Sequence, residues 1–193
     1  MEKITNQTLV KRNLLVASLF VTSFEMLKTS VQDRIKGCLC FNSSFNSEGE
    51  LEFEISDEYK KQVLDRIIPN IDRRKYRDYH LFYSSCLWLQ DNNVIDQSDI
   101  NELEQIRKHR NLISHNPLKL LVDDNININI SLLKKSQELL TKIEKWWIIE
   151  FEISGNLDFD GQEIDESQVS SGTSIFLDYI MEIAFEEINK TNT

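Results

Sequence analysis

Apolar residues recur at steps of three and four from Val10 to Ile35: Val10, Leu14, Ala17, Val21, Phe24, Leu27, Val31 and Ile35. Leu19, Phe20 and Met26 widen the same face. This spacing predicts one amphipathic helix near 8–36, about 28 residues long. Gly37 stands where its C-cap is expected. So long an apolar face must be covered by other elements, and the turn formers say which kind. Five Gly and two Pro in 193 residues are too few for a sandwich of short strands, which needs a turn roughly every ten residues.

Further along, Asn42-Ser43-Ser44 and Ser47-Glu48-Gly49 mark 38–55 as a loop, with a short extended piece at Leu51–Ile55. Ser56 is placed to N-cap a helix running to Ile68 and stopped by Pro69. A third helix is predicted near 74–91, broken by Asn92-Asn93. Ser98, with Glu102 nearby, opens a fourth, with Ile100, Leu103, Ile106, Leu112 and Ile113 facing a core. Asn116-Pro117 ends it, because the residue before proline is pushed out of the α region. Ser131 begins a fifth through Trp146-Trp147, a Gly- and Asp-rich loop covers 154–172, and a last helix over 173–189 presents Ile175, Phe176, Tyr179, Ile180, Ile183 and Phe185. The expected fold is an all-α bundle of five to six helices with two long loops, one domain over 1–193.

The net charge of −10 disfavours a nonspecific nucleic-acid binder. Its distribution is uneven. Residues 150–193 carry eleven acids against the single base Lys190, whereas 1–149 balance 21 acids with 21 bases. The expectation is a neutral bundle core over 1–149 and an acidic C-terminal loop and helix. Cys38, Cys40 and Cys86 read as reduced thiols, the first residues lack a signal-peptide pattern, and the apolar runs are too short to span a bilayer. These features predict a cytoplasmic protein that does not engage a membrane. Neither a P-loop nor a nucleophile elbow nor a metal-protease helix is present, so no cofactor and no metal are expected.

The run Arg110-Asn111-Leu112-Ile113-Ser114-His115 is the best chemical signal. The Arg-to-His spacing alone is common, since Arg73 and Arg74 precede His80 at only slightly longer range. Three features set the later run apart: Asn follows the Arg, the run closes an amphipathic helix, and Asn116-Pro117 stops that helix behind the histidine. On a helix Asn111 and His115 are about 40° apart in azimuth and roughly 6 Å in rise. Asn111 can therefore hydrogen-bond the imidazole and fix its tautomer. Arg110 lies about 140° from His115, so one helix aims the two poorly at a single atom. Two helices packed across a two-fold could gather both pairs in one cleft. The competing reading is structural: Arg110 pairs with an acid of a neighbouring helix, for which Glu25, on the crowded side of the first helix, is a candidate as a buried partner, and His115 sits at a helix C-terminus where the dipole favours a cation.

The stretch LEQIRKHRNLISHN (103–116) resembles the R-x(4–6)-H signature of the HEPN superfamily, in which a polar residue, often Asn, follows the Arg. The preceding WLQDNNVIDQSDINEL (88–103) is similar to HEPN domains of the abortive-infection type. The resemblance implies a metal-independent endoribonuclease of toxin or phage-defence type, working as a homodimer with a site shared across the two-fold. In it the RNA 2′-hydroxyl attacks the adjacent phosphate, His115 is the general acid/base, Arg110 holds the phosphate and Asn111 positions. Arg107, Lys108 and His109 add positive potential for the substrate. A cognate antitoxin or defence-system partner is also implied. Pro117 occupies the position of the tyrosine in the H-x-Y form of the motif, which makes neutralisation through that tyrosine inapplicable here. The family includes members that bind without cutting, so the alternative is a catalytically silent HEPN-like domain that binds a protein partner or nucleotide.

Other patterns carry less. Asn156 to Gly161 matches the opening of an EF-hand loop, but Ser167 takes the place of the bidentate Glu. Trp146, Trp147 and Phe151 fit a core or dimer surface, and the basic stretch Lys60 to Arg77 fits a solvated face better than an RNA track.

Overall fold

A computed structural model describes residues 7–39, 41–66, 78–117 and 128–190. The chain forms an all-α helical bundle, with one small hairpin. Helix α1 (Gln7–Lys28) passes through a π-helical turn (Thr29–Asp33) into α2 (Arg34–Leu39). The hairpin strands are β1 (Phe41–Phe45) and β2 (Leu51–Ile55). A short α3 (Asp57–Tyr59) continues as a π turn (Lys60–Leu64), followed by α4 (Asp78–Asp91), α5 (Gln97–His115), α6 (Ile130–Trp147) with a π extension (Ile148–Ile153), and α7 (Gly172–Lys190). Two compact units result: residues 1–27 with 101–193, and residues 28–100.

In the first unit α1, α5, α6 and α7 surround Phe20, Leu27, Leu103, Ile106, Leu140 and Trp147, all nearly free of solvent. Side-chain links tie the helices pairwise. Ser23 and Ser136 share a buried hydroxyl bond of 2.7 Å between α1 and α6. Lys135 reaches Glu102 at 2.9 Å between α6 and α5. Gln137 donates to Asp178 between α6 and α7, and Lys11 pairs with Glu187 at 2.6 Å between α1 and α7. The acidic C-terminal helix thus belongs to the core of this unit, contributing Leu177, Met181, Ala184 and Ile188.

Its burial corrects the sequence reading. The buried face of α7 is Ser174, Leu177, Met181, Ala184 and Ile188, whereas Ile175, Phe176, Tyr179 and Ile183 stand exposed. Helix α1 is similarly turned: Val16, Leu19, Phe20, Ser23 and Phe24 face inward and Leu14 faces out. Both helices carry two apolar stripes, and periodicity alone does not say which one the fold covers. Leu112 of α5, expected inside, is exposed beside the buried Ile113.

The second unit packs Val31, Ile35, Tyr59, Val63, Phe82 and Leu89. Leu27, Val31 and Ile35 are spaced by four, which drifts around a 3.6-residue helix. The π turn at Thr29–Asp33 widens the winding where that drift accumulates. Gly37 lies inside α2, so it is not a C-cap. The stretch 38–55, read as a loop, contains a hairpin pairing Phe41 with Ile55 and Phe45 with Leu51. The Asn46 side chain accepts the amides of Glu48 and Glu50, and Gly49 takes φ 81° to close the turn. Ser56 caps α3 as expected, accepting the Tyr59 amide at 3.0 Å, but this helical stretch ends at Leu64, short of Ile68. Pro69 and 74–77 lie outside the described residues. The helix break after α4 is as expected, with Asn93 at φ 59° and the Val94 amide returning to the Leu89 carbonyl.

The caps of the next two helices differ from expectation. A reciprocal box starts α5: Asp99 N–H donates to the Asp96 side chain at 2.9 Å, and Asp96 N–H to the Asp99 side chain at 3.2 Å. It displaces Ser98 as the cap. Asn129, not Ser131, caps α6 by accepting the Ser131 and Leu132 amides. Finally, Gln7–Leu39 taken together is long and apolar enough to cross a membrane, which the separate short apolar runs do not suggest.

Candidate functional site

The candidate residues all lie on the last turns of α5, within the first unit. The helix closes at His115, with Asn116 already outside it, as the Asn116-Pro117 pair requires.

Arg110 is the best-defined member. Its Nη2 donates to the Glu25 carboxylate on α1, its Nη1 donates to the Asn111 Oδ1 at 3.3 Å, and its guanidinium carbon lies 5.4 Å from the centre of the Phe24 ring. The Glu25 pairing anticipated from the sequence is therefore present, although Glu25 is partly solvated, its side chain 44% exposed, not buried. Arg110 Nε is buried with no hydrogen-bond partner among the described residues. The guanidinium is thus oriented by three contacts.

Asn111 does not act as expected. Its oxygen accepts from Arg110, and no hydrogen bond joins it to His115 among the described residues. The neighbouring guanidinium, a charge-assisted donor, occupies that oxygen instead. His115 is exposed at the final position of α5. Arg110 packs inward on α1 while His115 faces solvent, the divergence that a wide azimuthal separation predicts. Within one chain the two are not brought together by any hydrogen bond.

The flanking cations are largely compensated. Arg107 makes two bonds to Glu104, at 2.8 and 2.9 Å, and Lys108 approaches the same carboxylate at 3.4 Å. The Arg107 hydrogen bond holds the Glu104 carboxyl below its ordinary range, ahead of the smaller effect of Lys108. The positive potential expected of His109 is absent. Its ring packs edge-on to Phe20, 4.9 Å between centroids, and its Nε2 accepts the Asn129 amide at 2.9 Å. Burial pushes its pKa down, so the neutral imidazole that the amide needs as an acceptor is also the favoured form. His109 therefore joins α5 to the start of α6. The clue in the sequence was its place one turn after Ile106 on the buried side of the helix.

The chain matches no family model, no curated protein and no solved structure. Elsewhere, Trp147 is buried and touches Trp146 and Phe151 at 4.7 and 4.8 Å between ring centroids. Phe151 itself is half exposed. Cys86 is buried and Cys38 exposed, both as free thiols. Among the described residues no three His, Cys, Asp or Glu side chains are grouped to hold a metal ion.

Proposed function

We propose that this protein is a HEPN-type endoribonuclease of toxin or phage-defence type that cleaves RNA without a metal at a site built from two copies of the chain. The observation that carries the reading is the state of Arg110: a part-exposed guanidinium oriented by Glu25, Asn111 and Phe24, five residues before an exposed histidine at a helix stop. A guanidinium held in one orientation, its side chain 29% exposed, suits a phosphate. An exposed imidazole suits proton transfer near neutral pH.

In the proposed reaction His115 takes the proton of an RNA 2′-hydroxyl. The oxygen attacks the adjacent phosphorus, the bond to the 5′-oxygen breaks, and an imidazolium returns a proton to that leaving oxygen. The products are a 2′,3′-cyclic phosphate and a 5′-hydroxyl. Arg110 stabilises the charge that builds on the phosphate oxygens in the transition state, and Asn111 positions Arg110. Because Arg110 and His115 diverge on one helix, the reading requires the α5 ends of two copies to face each other. The cytoplasm, where RNA is plentiful, is the proposed place of action.

Glu25 favours a second reading. It compensates Arg110 within the chain, as it would in a silent HEPN-like domain that binds a protein or nucleotide through the same cleft. The test is incubation of the purified protein with structured and unstructured RNAs in EDTA. Cleavage that disappears in His115→Ala supports the ribonuclease; intact RNA throughout supports the silent domain.

A further inference from the structure

We propose that the groove between α1 and α7 docks a cationic amphipathic helix of a partner protein. The proposal stands apart from the ribonuclease reading, because the groove uses none of the α5 residues assigned to that chemistry.

The groove holds about 830 Å³ and is walled by Val10, Leu14 and Leu15 of α1 and by Ile180, Ile183 and Ala184 of α7. Among the described residues its polar lining is Ser18 and the Lys11–Glu187 pair, which compensate each other at 2.6 Å. The apolar surface continues beyond the groove. Phe176, Tyr179 and Ile183 follow one another at steps of three and four on α7 and are 54%, 60% and 48% exposed, and Leu14 on α1 is 49% exposed. Folded chains seldom leave such a contiguous strip in water unless something covers it. The span from Phe176 to Ile183 is two helical turns, about 10 Å, which is the reach of anchors at i, i+4 and i+7 on a partner helix.

Charge identifies the occupant. On an ideal helix Glu186 and Glu182 lie about 20° and 60° from Tyr179, so acids border the apolar stripe along its outer edge. The whole segment 150–193 has eleven acids and one base. Such a border repels RNA and anionic lipid headgroups. A second copy would bring the same acidic segment and its own net charge of −10. A small molecule would find almost no polar group to orient it. A helix with leucine-like anchors flanked by lysine or arginine satisfies both the stripe and its border, and is steered to it at long range.

The experiment uses the full chain and a fluorescein-labelled 18-residue peptide with Leu at i, i+4, i+7 and i+11 and Lys on the flanks, read by anisotropy. Two control peptides share its length, a Glu-flanked version and a version with the Leu positions scrambled, and phosphatidylcholine vesicles are a third control. Binding of the Lys peptide is expected, weakened at least about tenfold by Ile183→Ser and by the pair Glu182→Lys with Glu186→Lys. Ile183, Glu182 and Glu186 are not in the buried core, and unchanged thermal melts verify that the variants fold. The proposal is overturned if neither peptide binds, if the Glu-flanked or scrambled peptide binds as well, or if the vesicles take up the protein through Ile183. It is equally overturned if Ile183→Ser converts a dimer to a monomer in sedimentation, which would make a second copy the occupant.

Discussion

Replacing Arg110 by Met separates a structural arginine from a catalytic one, because the structure allows the two costs to be reckoned independently. The substitution removes the ion pair with Glu25, whose side chains are 29% and 44% exposed; pairs this solvated contribute about 0.5–1 kcal/mol. The cation over Phe24 at 5.4 Å adds about 0.5 kcal/mol. Against these, Met removes the buried Nε donor that has no partner among the described residues, whose relief offsets about 1 kcal/mol. Glu25 is left beside solvent and rehydrates. The net change in stability is therefore within about 1 kcal/mol of zero, a melting shift of about 2–4 °C at most for a chain of this size. Loss of a transition-state cation should instead reduce cleavage about 10²- to 10³-fold. Urea unfolding and RNA cleavage measured on the same preparation give both quantities. Glu25→Gln is the companion: it keeps an acceptor for Arg110, removes the competing charge, and should tighten RNA binding several-fold. If Arg110→Met lost several kcal/mol and activity fell only with the folded fraction, Arg110 would be structural. Full activity in a stable Arg110→Met protein would remove it from the chemistry.

Three further outcomes follow from the packing. Ser23→Ala and Ser136→Ala should each cost about 1–2 kcal/mol, because each strands a buried hydroxyl, while the double variant returns close to wild type; additive losses in urea unfolding would contradict the shared bond. His109→Phe keeps the ring against Phe20 but loses the acceptor for the Asn129 amide, costing about 1 kcal/mol. Because burial lowers the His109 pKa in the folded chain, the unfolded chain takes up its proton first. The stability His109 contributes is thus full above about pH 6.5 and declines as pH falls through that value. The His109→Phe protein should lose less stability than wild type between pH 7.5 and 5.5, and parallel curves would refute this. Asp96→Ala opens the capping box of α5 and should cost about 1 kcal/mol, against almost nothing for Ser98→Ala.

Much of the helical architecture was legible because long apolar periodicities and their stops are local. Asn92-Asn93, Ser56 and Asn116 act on their immediate neighbours, so their effects could be read residue by residue. What escaped depends on partners distant in the chain. The outward turn of Phe176, Tyr179 and Ile183 follows from which stripe of α7 meets α6. The hairpin was half visible: Leu51, Phe53 and Ile55 alternate as a strand should, but the Asn-Ser-Ser of its partner strand looks like a turn. At the candidate site Glu25 was nameable as a partner for Arg110. Asn111 was misjudged because its choice between Arg110 and His115 depends on where the guanidinium is held by α1. The commitment of His109 to Asn129 spans twenty residues and has no local signature.

A single 2′-deoxy nucleotide placed at a mapped cleavage site asks whether His115 activates an RNA 2′-hydroxyl. The all-ribose oligonucleotide should be cut in EDTA to a 2′,3′-cyclic phosphate and a 5′-hydroxyl. Cleavage at that position should vanish with the single deoxy substitution, and all cleavage should vanish with His115→Ala. Cutting at the deoxy position, or a His115→Ala protein that cuts as well as wild type, would rule out 2′-hydroxyl activation by His115.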